Sequence, residues 1–572
     1  MNLGDQLRQQ TTTLWALCEN FEGLVFKLGT LIPNAQASET NRELMVINDQ
    51  QQSLAKRIRA TLTHLRFLLT SHTLGTKIPD SLTHPFLQEI KTALANRPAI
   101  QSFDLDVPID DVLTQLETNI TAQHLAGLRS LVIRLEMALL AGQPPETKPY
   151  TAGSLYHDRQ FLVNLMQYDA YPHDYPQVDA PTFLTWLAYR RTGVLIDSAV
   201  VYNLRTEISE AAPTGLSGGA YCLKVGEQVE GYLVYRGAER TGQAGEWAET
   251  ALDWQYMLKS ILLAQDNRED QLPYARRFAQ YTLAQLKQDN VPAALYGVGH
   301  SLGGQLVQAV QLLDHPFTAG LTINTVPVQL RQLRHAAPKR FSTQEWHALA
   351  QTNALQSETT MPEMHITNLR FNRDFTDLFY QVPGTICVGR TISYSIPDWH
   401  YPFTANLKAF FTETELQSLL DILRYGMVRF DRASTQTQLI NQVVALVIDT
   451  LITFYRTAST KATITLFNHL NRYLYHCGFL TEKPESMHYS SRKHRALRQL
   501  LTNVMLQRHY LKHLNKGMFA AVINFHIVNG VKFMITDERA GVPIVEVGRQ
   551  DAPVAAVLDE VLPDDPLIEV AD

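Results

Sequence analysis

Apolar residues recur at helical spacing in the N-terminal part of the chain. In Ser53–Leu69, leucine and isoleucine stand three or four positions apart, as they do on one face of an α-helix. Ile109–Leu140 has the same spacing, and both stretches contain little glycine or proline. Connections are expected at residues 75–85 and 96–108. We therefore predict that residues 1–145 form a helical bundle, or a helical arm that packs against another part of the protein.

A different pattern runs from about residue 150 to residue 405. Gly219–Val225 and Gly231–Tyr235 are strand-like runs separated by a turn, which predicts a β-hairpin. In chain order, the pattern then predicts a helix at Tyr274–Gln288, a strand at Ala293–Gly297, a helix that starts after Ser301 and runs to about Leu313, and strands at Gly320–Asn324, His365–Phe371 and Ile386–Ser395. Strands that alternate with helices are typical of a mainly parallel sheet with helices on its faces.

The helical pattern returns after about residue 405. Towards the end of the chain, Val531–Val547 contains a predicted hairpin with its turn at Asp537–Gly541, and an acidic tail follows from Asp551. The sequence thus divides into helical residues 1–145, α/β residues 150–405, helical residues 406–530, and a short β segment with an acidic tail at 531–572.

Composition narrows the class of protein. The 572 residues exceed the size of about 250–300 residues at which one hydrophobic core stops growing, so two or three units are expected. Hydrophobic residues make up 45% and charged residues 19%, which is typical of a folded protein. The net charge of −6 argues against a nucleic-acid partner, because domains that bind nucleic acid are usually basic. The four cysteines form no CxxC pair, so neither a disulfide framework nor a cysteine-based zinc site is predicted.

The sequence also bears on the location of the protein. The N-terminus lacks the basic and apolar segments of a Sec signal peptide. The most apolar run, Val443–Phe454, is shorter than the roughly 20 residues of a membrane span and contains Asp449. We expect synthesis in the cytoplasm without a transmembrane helix. Secretion without a signal peptide, as for a bacterial effector, is the alternative.

The motif with the clearest chemical meaning is LYGVGHSLGG, at Leu295–Gly304. Gly299, Ser301 and Gly303 fit the pattern G-x-S-x-G, in which a nucleophilic serine occupies a sharp turn between a strand and a helix. Because that turn brings neighbouring backbone very close, glycine is needed on both sides of the serine. We therefore predict that Ser301 is a nucleophile. The alternative is an ordinary glycine-rich turn between a strand and a helix.

Two upstream elements support this prediction. Tyr232–Ala238 (YLVYRGA) is a strand-like run that ends in Arg-Gly, and the pair Asp253-Trp254 follows it. In the order and spacing of these elements and GHSLGG, residues 190–405 resemble the class 3 lipase family of the α/β-hydrolase superfamily. The resemblance implies an α/β-hydrolase fold with a mainly parallel sheet. The N-terminal and C-terminal helical regions flank that fold and lie outside the resemblance.

The resemblance also implies an oxyanion hole made of two backbone N–H groups, those of Ala238 and Leu302. Such donors are worth about 3 kcal/mol of barrier each. Alanine stands at position 238 where the family usually has threonine or serine. The backbone donor is retained and a hydroxyl is lost, so the rate or the substrate is expected to differ.

A serine hydroxyl needs a base, usually histidine, and the base needs a carboxylate to orient it. In this fold the acid and then the histidine follow the serine along the chain. Asp374 follows a predicted strand and matches the family's position for the acid, with Asp377 as the alternative. His400 lies in a loop just beyond the strand predicted at Ile386–Ser395, where the family has its base. We predict a triad of Ser301, His400 and Asp374.

Two further segments admit more than one interpretation. Residues 331–362 lengthen the interval between the serine and the acid, and fit either a lid over the site or a plain surface insertion. Arg492–Lys516 is basic and amphipathic. This is typical of a helix on a membrane surface or against a partner, and also of a solvated helix that covers a core, which we favour.

Together these features predict a serine ester hydrolase, similar to lipases and phospholipases, that acts through an acyl-enzyme. The expected substrate is a lipid or another ester, and neither a metal nor another cofactor is expected. The alternative is a catalytically degenerate hydrolase scaffold in an interaction or effector protein.

Overall fold

The computed structural model describes most of the chain. The described residues are 3–31, 38–70, 120, 122–142, 149–238, 252–264, 270–288, 292–351, 359–371, 373–382, 384–395, 402–426, 460–481, 513, 515–527 and 545–546. The predicted hairpin turn at 537–541, the acidic tail and the basic residues 492–512 lie outside this set.

Eleven strands are present in the described residues. They are β1 (Ser198–Asn203), β2 (Gly218–Val225), β3 (Gln228–Tyr235), β4 (Ala293–His300), β5 (Ala319–Ile323), β6 (Val328–Gln329), β7 (Thr359–Thr360), β8 (Ile366–Phe371), β9 (Thr385–Ile386), β10 (Gly389–Ser395) and β11 (Val545–Glu546). Nine of them form one sheet in the order β1-β2-β3-β4-β5-β8-β10-β11, with β7 also paired to β10. The pairs from β3 through β4, β5 and β8 to β10 are parallel. The prediction of a mainly parallel sheet between helices is therefore confirmed.

Helices surround this sheet and extend on both sides of it in sequence. They are α1 (Leu3–Leu31), α2 (Ser38–Thr70), α3 (Ala122–Gly142), α4 (Arg159–Ala170), α5 (Ala180–Thr192), α6 (Leu204–Glu207), α7 (Leu272–Leu286), α8 (Leu302–Asp314), α9 (Leu330–Ala336), α10 (Thr343–Gln351), α11 (Glu413–Gly426), α12 (Thr460–His476) and α13 (Lys516–His526). Within the described part of the chain, no helix combines the length and apolar character needed to cross a bilayer.

The predicted strands agree closely with the structure except at one place, whereas β1, β6 and β7 are not predicted by the sequence. The predicted hairpin is β2 and β3, paired antiparallel. The strand predicted at Ile386–Ser395 is instead two strands, because β9 pairs with β6 in a separate small sheet. Gly389, the first residue of β10, has φ of +93°, a conformation open to glycine. A side chain there would also collide with the carbonyl oxygen of Ile366.

Successive side chains of each strand point to opposite faces of the sheet, and each face has its own hydrophobic core. Tyr232 and Val234 of β3 belong to one core, and Leu233 and Tyr235 belong to the other, as the two-residue period of a strand requires. Helices α7, α8 and α9 cover the second face. The first face is covered by α4 and α5, and the same core continues into α1, α3 and α13. The helical flanks thus share a core with the sheet.

Specific contacts attach the N-terminal helices to the α/β part of the protein. The rings of Trp15 on α1 and Trp186 on α5 lie 4.6 Å apart, measured between centroids. Glu136 on α3 accepts hydrogen bonds from Trp186 Nε1 at 2.7 Å and from Arg190 at 2.8 Å. An indole that is fully buried needs such an acceptor, because water cannot reach its N–H.

Replacement of Glu136 by alanine is expected to lower the Tm of the protein. The buried Trp186 N–H loses its acceptor, which costs about 1–3 kcal/mol, and each kcal/mol corresponds to about 2–4 °C for a unit of 150–250 residues. Differential scanning fluorimetry measures the change. Glu210→Ala is the control, because Glu210 and its partner Arg277 are both exposed and such pairs contribute little. Equal Tm values for the two variants would contradict this assignment.

Candidate active site

Ser301 occupies a sharp turn between β4 and α8. Its backbone has φ of 55° and ψ of −124°, a strained conformation for a residue with a side chain. The turn is held in place by hydrogen bonds from Ser301 N to Ile323 O at 3.0 Å and from Val326 N to Ser301 O at 3.3 Å. The strand-to-helix turn predicted from the G-x-S-x-G pattern is therefore present.

The two glycines of the motif allow the backbone around Ser301 to pack closely. A Cβ on Gly299 would collide with the backbone of Gly303, on the other side of the turn. A Cβ on Gly303 would overlap the carbonyl oxygen of Tyr235 at the end of β3. The second contact brings the start of α8 against the segment that leaves β3.

That segment contains the predicted oxyanion residues. A Cβ built on Gly237 would lie 3.0 Å from Cβ of Ser301, so Ala238 follows directly after a residue in contact with the serine. Arg236 is anchored by Asp169, whose carboxylate lies 3.2 Å from the guanidinium Nε. Leu302 is the first residue of α8, where backbone N–H groups have no partner within the helix.

Asp374 lies beyond the end of β8 and is 1% exposed. Its carboxylate accepts hydrogen bonds from Asn324 Nδ2 at 2.7 Å, from Thr376 N at 2.9 Å and from Thr376 Oγ1 at 2.8 Å. The ring of His526 completes this set, because its Nδ1 lies 2.9 Å from both carboxylate oxygens. Burial acts to raise the pKa of Asp374, but attraction to His526 and these hydrogen bonds outweigh it and lower the pKa below its ordinary value.

His526 is the last residue of α13 and is 7% exposed. A carboxylate only accepts hydrogen bonds, so the nitrogen facing Asp374 carries a proton, and in the neutral imidazole Nε2 is then the acceptor. The ring of His526 lies 4.6 Å from the ring of His300, the residue before Ser301. Both Nε2 of His526 and Oγ of Ser301 are buried without a hydrogen-bond partner among the described residues.

Aromatic side chains lie beside His526. The ring of Phe375 lies 4.3 Å from the ring of His526, and Trp254 stacks on Phe375 at 5.4 Å. Trp254 belongs to the Asp-Trp pair noted in the sequence. Ser301 is only 1% exposed, so its hydroxyl is shielded from solvent.

The structure describes the predicted acid, Asp374, but not the predicted base, His400. Asp374 lies against an imidazole, but that imidazole belongs to His526, whereas His400 lies outside the described residues. Asp377, the alternative acid, is 2.6 Å from Arg370 Nε. Burial raises the pKa of Asp377 despite that neighbouring cation. Asp377 therefore pairs with an arginine and Asp374 with a histidine.

His526 is not among the residues that the sequence singles out. It lies 152 residues beyond Asp374 in the chain, far from the loop in which the sequence predicts the base. The only signal near it is its place at the end of an apolar helical segment, AAVINFH. A single histidine in such a segment resembles any buried histidine, and only the folded structure brings it to the carboxylate.

Comparisons with known proteins give little further information about this site. A family model described as a domain of unknown function, DUF6792, matches residues 200–369. The match includes Ala238 and Ser301 and ends before Asp374. No curated protein matches the chain. No solved structure matches it either.

Replacement of Gly303 by alanine is expected to destabilise the protein by about 1–3 kcal/mol or more. The new methyl group would overlap the Tyr235 carbonyl oxygen, and neither backbone segment can move without disturbing the sheet. Thermal unfolding followed by fluorescence measures the effect. Gly226→Ala is the matched control: Gly226 has φ of +59° and open space around it, so only the backbone cost of about 1 kcal/mol applies. A Gly303→Ala protein at least as stable as the control would be inconsistent with this packing.

Proposed function

We propose that the protein is a serine ester hydrolase that acts through an acyl-enzyme on Ser301. His526 is the base and Asp374 is the acid that orients it. One observation carries the proposal: a buried histidine whose Nδ1 is 2.9 Å from both oxygens of an aspartate has its ring 4.6 Å from the ring of His300, the residue before a serine in a strained turn at the end of β4. Nucleophile, base and orienting acid are the parts that this chemistry requires.

In the first half of the reaction, Nε2 of His526 takes the proton from Ser301 Oγ while Oγ attacks the acyl carbon. The negative charge moves to the former carbonyl oxygen, which the backbone N–H groups of Leu302 and Ala238 stabilise. When the tetrahedral intermediate collapses, the bond to the alcohol oxygen breaks and His526 returns its proton to that oxygen. The alcohol leaves, and the acyl group stays on Ser301.

In the second half, water takes the place of the alcohol. His526 removes a proton from the water as its oxygen attacks the acyl carbon. Collapse of the second intermediate releases the carboxylic acid and returns the proton to Ser301 Oγ. Asp374 keeps its negative charge throughout and stabilises the imidazolium that forms in each half. An acceptor alcohol in place of water would give acyl transfer by the same steps.

We propose a lipid ester as the substrate class, as the resemblance to class 3 lipases implies. The ring of Phe375 beside the base, with the ring of Trp254 stacked on it, supports this choice, because apolar rings suit an acyl chain better than a charged group. The burial of Ser301 is compatible with a site that opens for its substrate. A smaller ester or a thioester is the alternative within the same chemistry.

A fluorophosphonate probe tests the proposal directly. The wild-type protein is expected to form a covalent adduct on Ser301, located by mass spectrometry of the digested protein, and Ser301→Ala is expected to form none. Failure of the folded wild-type protein to react would favour the alternative of a degenerate hydrolase scaffold in an interaction protein. A panel of esters with increasing acyl length would then define the substrate.

The identity of the base is tested by comparison of two histidines. His526→Gln is expected to slow labelling and ester hydrolysis about 1,000-fold or more, because the base and nucleophile act as one unit. His400→Gln is the matched control and is expected to react at the wild-type rate. The opposite result, a slow His400→Gln protein and a normal His526→Gln protein, would reassign the base.

A further inference from the structure

Helix α13 carries two polar side chains on opposite faces. Asn524 and His526 are two positions apart, so they are separated by about 200° around a helix with 3.6 residues per turn. His526 contacts Asp374, whereas Asn524 contacts α1. The helix therefore lies between the N-terminal region and the candidate active site.

The contact with α1 is specific. Nδ2 of Asn524 donates to Phe26 O at 2.8 Å and to Thr30 Oγ1 at 3.0 Å. The acceptors lie in the last part of α1, and Thr30 is fully buried. A Cβ on Gly29 would lie 3.2 Å from Asn524 Nδ2, so glycine leaves room for the amide. Asn524 and Phe26 are joined across 498 positions of sequence.

Further contacts fix the other end of α13. Just before the helix, Asn515 N donates to Phe479 O at 2.8 Å, and Thr481 N donates to His513 O at 3.1 Å. Within the helix, Met518 is fully buried in the main core. The beginning of the helix is thus held by the segment after α12, and the end near His526 is held by α1.

We propose that α1 is a positioning element for the base, and that Asn524 is the positioning residue through which it acts. The inference rests on the proposed function, in which His526 is the base. His526 is the last residue of its helix, so packing of α13 determines where the imidazole stands. The contact two residues earlier ties that position to α1. The helical region before the α/β part then has a defined role in catalysis.

The expected size of the effect follows from geometry. A misplacement of about 1 Å in a reacting group can cost about 100-fold in rate. Asn524→Leu keeps a similar volume but removes both hydrogen bonds, so kcat of ester hydrolysis and the rate of fluorophosphonate labelling are expected to fall about 10- to 100-fold, with KM little changed. Thr30→Val removes one acceptor and is expected to have a smaller effect in the same direction.

Thr13→Val is the matched control for Thr30→Val. Thr13 Oγ1 also bonds a carbonyl one turn earlier in α1, Gln9 O at 2.9 Å, as Thr30 Oγ1 bonds Phe26 O at 3.1 Å. The control therefore changes the same group in the same helix, in a residue with no hydrogen bond to α13. It is expected to retain wild-type rates, which separates a loss of positioning from a general effect of valine in α1.

A second measurement reports on the contact between His526 and Asp374 and does not require catalytic activity. The proton shared between His526 Nδ1 and Asp374 is expected to give a low-field NMR signal, assigned by its absence in His526→Gln. Asn524→Leu should weaken or shift that signal, and Thr13→Val should preserve it. If Asn524→Leu proves unstable, the smaller substitution Thr30→Val decides the question by the same two measurements.

The outcomes distinguish this inference from the proposed function. If wild type does not react with the probe but Asn524→Leu still loses the low-field signal, the hydrolase proposal fails while the positioning by α1 stands. If wild type reacts and Asn524→Leu and Thr30→Val retain both the wild-type rate and the signal, positioning by α1 is overturned and the hydrolase proposal stands.

Discussion

The contact between Asp374 and His526 is the interaction on which the candidate active site depends. A buried carboxylate is costly unless it is paired and hydrogen-bonded. Here Asp374 gains one partner from the loop after β5, one from its own loop, and the imidazole from a helix 152 residues further along the chain. The pair therefore links the α/β part of the protein to its C-terminal helical region.

The parallel strands and helix α13 determine where the side chains of the candidate active site lie. Parallel pairing of β3, β4, β5 and β8 brings their carboxyl ends to one edge of the sheet, where Ser301 and Asp374 both lie. The histidine comes from outside the sheet, and its helix packs between that edge and α1. This explains how the N-terminal and C-terminal helical regions, which are far apart in sequence, share a core with the sheet.

Features that depend on local sterics could be predicted from the sequence. Contacts that depend on packing between distant segments could not. The turn at Ser301 was predictable because only glycine fits at Gly299 and Gly303. Asp374 was predictable as a carboxylate just beyond a strand, but the pairing of Asp377 with Arg370 was not. The division of the predicted strand into β9 and β10 and the approach of His526 to Asp374 both depend on contacts between distant segments. No period or motif in the sequence encodes those contacts.

The most direct test of this account is a crystal structure of the protein after reaction with a small alkyl phosphonate. We expect phosphorus bonded to Ser301 Oγ, with His526 Nε2 within hydrogen-bond distance of that group and Nδ1 of His526 still hydrogen-bonded to Asp374. The phosphonate oxygen should accept from the N–H groups of Leu302 and Ala238. Phosphorus on another residue, or an imidazole other than that of His526 beside it, would contradict the account.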